Sequence, residues 1–208
     1  MKNLLAIDIG NTNITLGIFF GARLIKKTKI PTADDALYKR RLIRFLNKRD
    51  IEGAIISSVV PKALSGLKRV LRKARPHSKI LVLGEGLKAP IKNLYKVKRE
   101  VGQDRLVNAV AAKIIYGAPA LVIDFGTAIT FDVVSRQGAY LGGLILPGIE
   151  LSLQSLYEKT ALLPKVALKP TRQLIGKGTR DSIRGGILFG FGAMCDSLIS
   201  KYRKMFGN

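Results

Sequence analysis

One short pattern occurs twice in this chain and limits what it can fold into. Leu5-Ala6-Ile7-Asp8-Ile9-Gly10-Asn11-Thr12 and Leu121-Val122-Ile123-Asp124-Phe125-Gly126-Thr127 each run from an apolar segment rich in β-branched residues into an Asp-x-Gly-Thr turn. The first copy carries one additional residue, Asn11, and an apolar strand pattern follows each copy, at Ile14–Phe20 and at Ile129–Val134. Strand, polar tip and returning strand make a β-hairpin. A hairpin that recurs 116 residues later in a chain of 208 is an internal duplication. The chain is therefore expected to have two related halves, 1–105 and 106–208, with the boundary falling in the stretch 101–120.

Between the hairpins, strand and helix patterns alternate. Ala33–Arg49 has a helical apolar stripe of Leu37, Leu42, Phe45 and Leu46, with Lys39, Arg40, Arg44 and Lys48 on its polar face. Ala54–Val60 reads as a buried strand ending at Pro61, Ala63–Ala74 as a basic amphipathic helix and Ile80–Leu83 as a short strand. The second half repeats the alternation. Asp104–Tyr116 is helical, Ala120–Ile123 and Leu141–Leu146 are strands, and Ile149–Leu156 and Ile183–Tyr202 are helices. That order predicts α/β layers, with mixed sheets flanked by helices.

Composition removes whole classes of function. Hydrophobic residues make up 47% of the chain, which excludes a disordered or collagen-like protein. One cysteine, Cys195, and one histidine, His77, leave no disulfide and no His- or Cys-built zinc site. His77, in a basic loop, is expected to be exposed and inert, and Cys195 to be a core residue. The formal charge of +22 suits anionic substrates and keeps nucleic acid open as a partner. The Lys/Arg clusters lie on polar helix faces, as a solvated surface would. Asp8 breaks the first apolar run too early for a signal peptide, and no uninterrupted apolar run is long enough for a bilayer, so a cytoplasmic protein is expected.

The tips carry phosphate chemistry. Glycine lets the backbone approach a ligand closely, and the N–H groups and hydroxyl that follow can donate to phosphate oxygens. An aspartate at the end of a strand can hold a hydrated cation. Gly102-Gln103-Asp104-Arg105 sets a carboxylate beside a guanidinium at a helix N-terminus. There Asp104 can cap the helix and pair with Arg105 or a nearby lysine, or it can accept a hydroxyl proton while Arg105 grips a carboxylate. Gly142-Gly143-Leu144-Ile145-Leu146-Pro147-Gly148 is a strand that another backbone or a ligand could approach. Gly176-Lys177-Gly178-Thr179 fails as a Walker motif, since no glycine lies four residues earlier and Gly178 follows the lysine; Gly190-Phe191-Gly192 lacks the third glycine of a dinucleotide fingerprint.

The two tips resemble the phosphate-binding hairpins of the sugar kinase, actin and heat-shock 70 superfamily. With Gly102–Arg105, Gly142–Gly148 and Gly176–Thr179 in order from residue 4 to about 204, the chain resembles the type III pantothenate kinases. The resemblance implies a duplicated ribonuclease H-like, actin-like ATPase fold and transfer of phosphate from ATP to pantothenate, the first step towards coenzyme A. It also implies roles. Asp8, Ile9, Gly10, Asn11, Thr12, Asn13, Ile14 and Thr15 line the ATP phosphates, assisted by Thr127. Asp104 is the general base. Tyr95, Gly102, Gln103, Asp104, Arg105 and Thr179 hold pantothenate, Thr179 from across a homodimer interface. Asp124 binds potassium or ammonium, and Asp8 holds magnesium through water.

Three departures from the family stand out. Tyr95 is followed by Lys96-Val97-Lys98 instead of Asn-Pro, Gln103 replaces a common alanine, and the 208 residues stop before the place where the resemblance leads one to expect a Thr-Gly-Gly turn. A weakened kinase-like regulator, or a transcription accessory factor binding nucleic acid on the same scaffold, is the rival. Against it, the sequence has no helix-turn-helix, zinc-finger or RNA-binding aromatic motif.

Overall fold

Strand β1 (Asn3–Ile9) pairs antiparallel with β2 (Asn13–Phe20), which closes the first hairpin with Ile9 opposite Ile14 and Asp8 opposite Thr15. In the computed structural model, which describes residues 3–32, 35–46 and 50–207, β2 pairs antiparallel with β3 (Arg23–Pro31). On the other side of β1, strands β4 (Ile51–Ser58), β5 (Lys79–Leu83) and β6 (Gly86–Leu87) add in parallel, giving the order β3-β2-β1-β4-β5-β6. This mixed sheet is the ribonuclease H-like arrangement expected from the sequence.

One face of the sheet is the core. Leu5, Ile7 and Ile9 of β1, Ile14, Leu16 and Ile18 of β2 and Ile56 of β4 alternate inward and are all at most 3% exposed. Helices α1 (Asp35–Leu46) and α2 (Pro61–Ala74) supply the cover through Tyr38, Leu42, Phe45 and Leu46, and through Leu67 and Leu71. Spacings of three and four residues put each set on one stripe of its helix, and full burial of each such side chain stabilises by about 1.5–3 kcal/mol. Residues 33–34 and 47–49 of the expected helix, with Lys48, lie outside the described residues, as do the side chains of Leu37 and Lys39.

Strand β3 was not legible in the sequence. Only Ile30 of its nine residues is buried, and Lys26, Lys27 and Lys29 break the apolar pattern. It is an edge strand, where lysines discourage pairing with other chains. Lys26 also lies 4.9 Å from the Phe45 ring centre, a cation–π contact.

A short 3₁₀ turn at Lys98–Glu100 precedes α3 (Gln103–Tyr116). The chain divides within that helix into units Met1–Ala111 and Ala112–Asn208. The second unit has β7 (Ala120–Phe125), β8 (Ala128–Val134) and β9 (Tyr140–Pro147) in one antiparallel sheet, order β7-β8-β9, followed by α4 (Ile149–Glu158) and α5 (Thr179–Phe206). These strands repeat β1-β2-β3. Among the described residues, the second unit has no counterpart of the parallel strands β4 and β5. Ile129, Phe131 and Val133 on one face of β8 are buried, and so is Asp132 on the other.

One expectation needs correction. Cys195 is half-buried in α5, not a core residue; burial, and then the charge of Asp196, push its thiol pKa up. Helix α5 is long and apolar enough to cross a membrane by length and composition only, a test that core helices of soluble proteins also pass. Arg184 and Asp196 interrupt its apolar run, so it is not an uninterrupted apolar stretch in the sequence.

Candidate functional site

The first tip is held by its own backbone and by the end of β3. Gly10 N–H donates to the Asn13 carbonyl at 2.9 Å, so this amide serves the turn. Thr32, just past β3, donates its backbone N–H to the Thr12 carbonyl at 3.0 Å and its hydroxyl to the Gly10 carbonyl at 2.8 Å. Asn11 and Thr12 stand exposed at the apex. Ile9 and Ile14 bury their side chains in the core, so what they offer a ligand is backbone. Asp8, exposed, sits in one register row with Thr15 on β2, Lys29 on β3 and Ser57 on β4. Paired residues share a sheet face, so the row combines oxygen donors that suit a hydrated hard cation with an exposed ammonium that suits phosphate. Lys29 and Thr32 were missed in the sequence because β3 was.

The second tip repeats the first. Asp124 lies opposite Thr130 as Asp8 lies opposite Thr15, and Gly126 N–H donates to the Ala128 carbonyl at 3.0 Å. The strap is repeated as well. β9 ends at Pro147 as β3 ends at Pro31, and the next residue, Gly148, donates its N–H to the Thr127 carbonyl at 2.8 Å. Here the strap must be glycine, because a Cβ at Gly148 would strike the carbonyl oxygens of Gly126 and Thr127. That gives the Gly142–Gly148 stretch its structural reason. Asp124, Phe125, Gly126 and Thr127 are exposed.

Behind this tip lies a buried polar group. Asp132 is 0% exposed. Its two oxygens accept from Tyr140 Oη and from Thr130 Oγ1, each at 2.8 Å. Tyr202 of α5 lies within its field: burial, and then the Asp132 charge, raise the phenol's pKa.

Asp104 sits in the first turn of α3, where the helix N-terminus favours the carboxylate. Its Oδ1 accepts the Arg105 backbone N–H at 2.8 Å. Gly102 makes room for it, since a Cβ there would collide with Asp104 Oδ1. The Gly-x-Asp spacing thus leaves room for the folded-back carboxylate. Gln103 lies against the backbone of Gly84, a surface that accommodates its bulk. Arg105 is only 6% exposed, so its guanidinium is less open than a surface clamp. Tyr95 is half-buried in a loop, with its N–H on Asn93 Oδ1 at 2.9 Å.

In the second unit Thr179 is exposed as the first residue of α5. Ser182 closes the preceding Gly176-Lys177-Gly178 turn: its N–H donates to the Gly178 carbonyl at 2.9 Å and its hydroxyl to the Gly176 carbonyl at 3.3 Å. His77 is exposed. Of the 36 lysines and arginines, 24 lie in residues 1–111 against eight of the 14 acids, so this stretch carries most of the excess charge. Among the described residues no three His, Cys, Asp or Glu gather into a metal cage.

A family model described as type III pantothenate kinase matches residues 4–201. A curated protein of Moorella thermoacetica named type III pantothenate kinase is 41% identical over 212 residues, covering 98% of this chain and 83% of that protein. Among solved structures, a Campylobacter jejuni protein assigned to the Baf family of transcriptional activators matches with a TM-score of 0.55 and 22% identity, over 93% of this chain and 78% of that one. At that identity the likeness speaks for the fold alone.

Proposed function

The chain belongs to the type III pantothenate kinase family, and from that premise we propose how its residues carry out the family's reaction. The enzyme transfers the γ-phosphoryl group of ATP to pantothenate, giving 4'-phosphopantothenate, the first step of coenzyme A biosynthesis. The observation that carries the assignment of residues is the repeated, strapped tip, with Asp104 at the start of α3 in the chain between the two copies.

Phosphoryl transfer asks mainly for positioning and for charge to stabilise the transition state. Asp8 to Thr15 hold the ATP phosphates, with the exposed apex of Asn11 and Thr12 and the strapped backbone fixing their place. Thr127 assists from the second tip. Lys29, on the Asp8 row, adds a positive charge. The primary hydroxyl of pantothenate gives its proton to the Asp104 carboxylate as its oxygen bonds to the γ-phosphorus. The bond from that phosphorus to the β–γ bridging oxygen breaks, and ADP leaves. Arg105 and Tyr95 shape the pantothenate site, with Gly102 and Gln103. The carboxylates of Asp8 and Asp124, each opposite a threonine, are oxygen donors of the kind that hard cations take. Magnesium through water on Asp8, and potassium or ammonium on Asp124, would supply positive charge to the phosphates when bound. A homodimer brings Thr179 to pantothenate in this reading, and light scattering at the 22.7 kDa of a single chain would remove that role. In this reading the enzyme works in the cytoplasm.

The test is a mass-spectrometric assay for phosphopantothenate, with purified protein, ATP, magnesium, potassium or ammonium, and pantothenate. Product that depends on each substrate is the expected result. A folded protein that yields none refutes the assignment.

A further inference from the structure

Asp132 has no part in the mechanism above, yet it is fully buried in a chain with only nine aspartates. A buried carboxylate is costly unless its oxygens are satisfied. Tyr140 and Thr130 both donate to it at 2.8 Å. The hairpin itself does not require it. In the first unit the same place, two residues past Thr15 on β2, is Gly17. The acid therefore belongs to something particular to the second tip.

That tip differs in the role assigned to its aspartate. Thr130 faces Asp124 directly across the β7–β8 pair. A threonine hydroxyl has one proton to donate, and here it goes to Asp132. The Thr130 oxygen is left with lone pairs only, on the sheet face it shares with the Asp124 carboxylate. A hydroxyl oxygen and a carboxylate offered from adjacent strands form a donor set that a hard monovalent cation completes. Resting on the reading of Asp124 as the cation carboxylate, we propose that Thr130 is a second oxygen ligand of that cation and that Asp132 is the positioning residue that turns its hydroxyl. Tyr140 anchors the far oxygen of Asp132 and so fixes the carboxylate plane.

The test reads cation binding without turnover. Thermal midpoints are measured against KCl at constant ionic strength, balanced with choline chloride, with and without a non-hydrolysable ATP analogue and magnesium. Wild-type protein is expected to gain stability saturably with potassium. Thr130→Val and Asp132→Asn are expected to weaken the apparent potassium affinity about tenfold, the effect typical of losing a ligand's hydrogen-bonded support. In Asp132→Asn the amide N–H₂ can face Thr130 and reverse the polarity of that bond. Thr130→Ser should restore affinity, and Tyr140→Phe, which frees the Asp132 carboxylate plane, should lower both the midpoint and the potassium affinity. If Asp124→Asn abolishes the potassium effect while Thr130→Val and Asp132→Asn bind as wild type, Asp124 keeps its role and the proposal falls. If Asp124→Asn binds potassium as wild type does, or wild type shows no effect in either condition, the reading of Asp124 fails and takes the proposal with it.

Discussion

Thr32→Val tests whether the strap on the first tip matters for ATP. The substitution keeps the β-branched shape and the backbone N–H bond to the Thr12 carbonyl at 3.0 Å, and it deletes only the 2.8 Å hydroxyl bond to the Gly10 carbonyl. The bond is part-buried. A net hydrogen bond of this kind is worth roughly 0.5–1.5 kcal/mol, and water can partly replace the lost donor, so about 1 kcal/mol of stability should go. A change of that size is about fivefold in an equilibrium constant. If ATP draws on the ordered tip, the KM for ATP should rise by up to about that factor while the KM for pantothenate stays put. Urea unfolding gives the stability, with an unchanged m-value as the check that the unfolded state is the same, and initial rates give both KM values. Thr32→Ser should return both quantities. A variant that loses the expected stability but keeps its KM for ATP would refute the link between strap and nucleotide. An equal rise in both KM values would show a general loosening.

The remaining predictions concern other parts of the two units. Gly148→Ala places a Cβ against the Gly126 and Thr127 carbonyls, and since backbone cannot step aside cheaply it should cost about 1–3 kcal/mol, as overpacking does, read by chemical denaturation. Lys29→Met removes an exposed cation on the Asp8 row and should raise the KM for ATP, more at low salt than at high, without changing thermal stability. Tyr202 has a raised phenol pKa, owing to burial and then to Asp132. The unfolded chain ionises first, so this contribution is fully present below the ordinary tyrosine range and is lost as pH climbs through the folded value. Tyr202→Phe should accordingly show a shallower fall in stability above about pH 10, measured by denaturation at a series of pH values.

What the sequence made legible depended on pattern strength. Both hairpins stood out because Asp-x-Gly-Thr between apolar strands is short, local and repeated. Strand β3 was hidden because an edge strand with lysines has no alternating apolar pattern, and only Ile30 marks its inner face. With β3 went the strap residues, although Pro31-Thr32 and Pro147-Gly148 stand at matching places after each hairpin and could have extended the repeat. Gly102 could be named from its motif, but its reason, the folded-back carboxylate of Asp104, needed coordinates. Arg105 looked like an open clamp because charged residues are usually exposed, and its burial is a tertiary fact. Asp132 looked like an ordinary strand residue, since nothing local shows that Tyr140, eight positions on, reaches it.

The central claim is that Asp104 takes the proton of the attacking hydroxyl. Asp104→Asn keeps the side chain's size and leaves an oxygen to accept the Arg105 N–H, so the variant should fold and bind ATP and pantothenate with affinities close to wild type by calorimetry. Its turnover, followed as phosphopantothenate by mass spectrometry, should fall by about 10²–10⁴-fold, the range of a general base. Near-normal turnover with binding intact would contradict the claim and leave Asp104 as a helix cap.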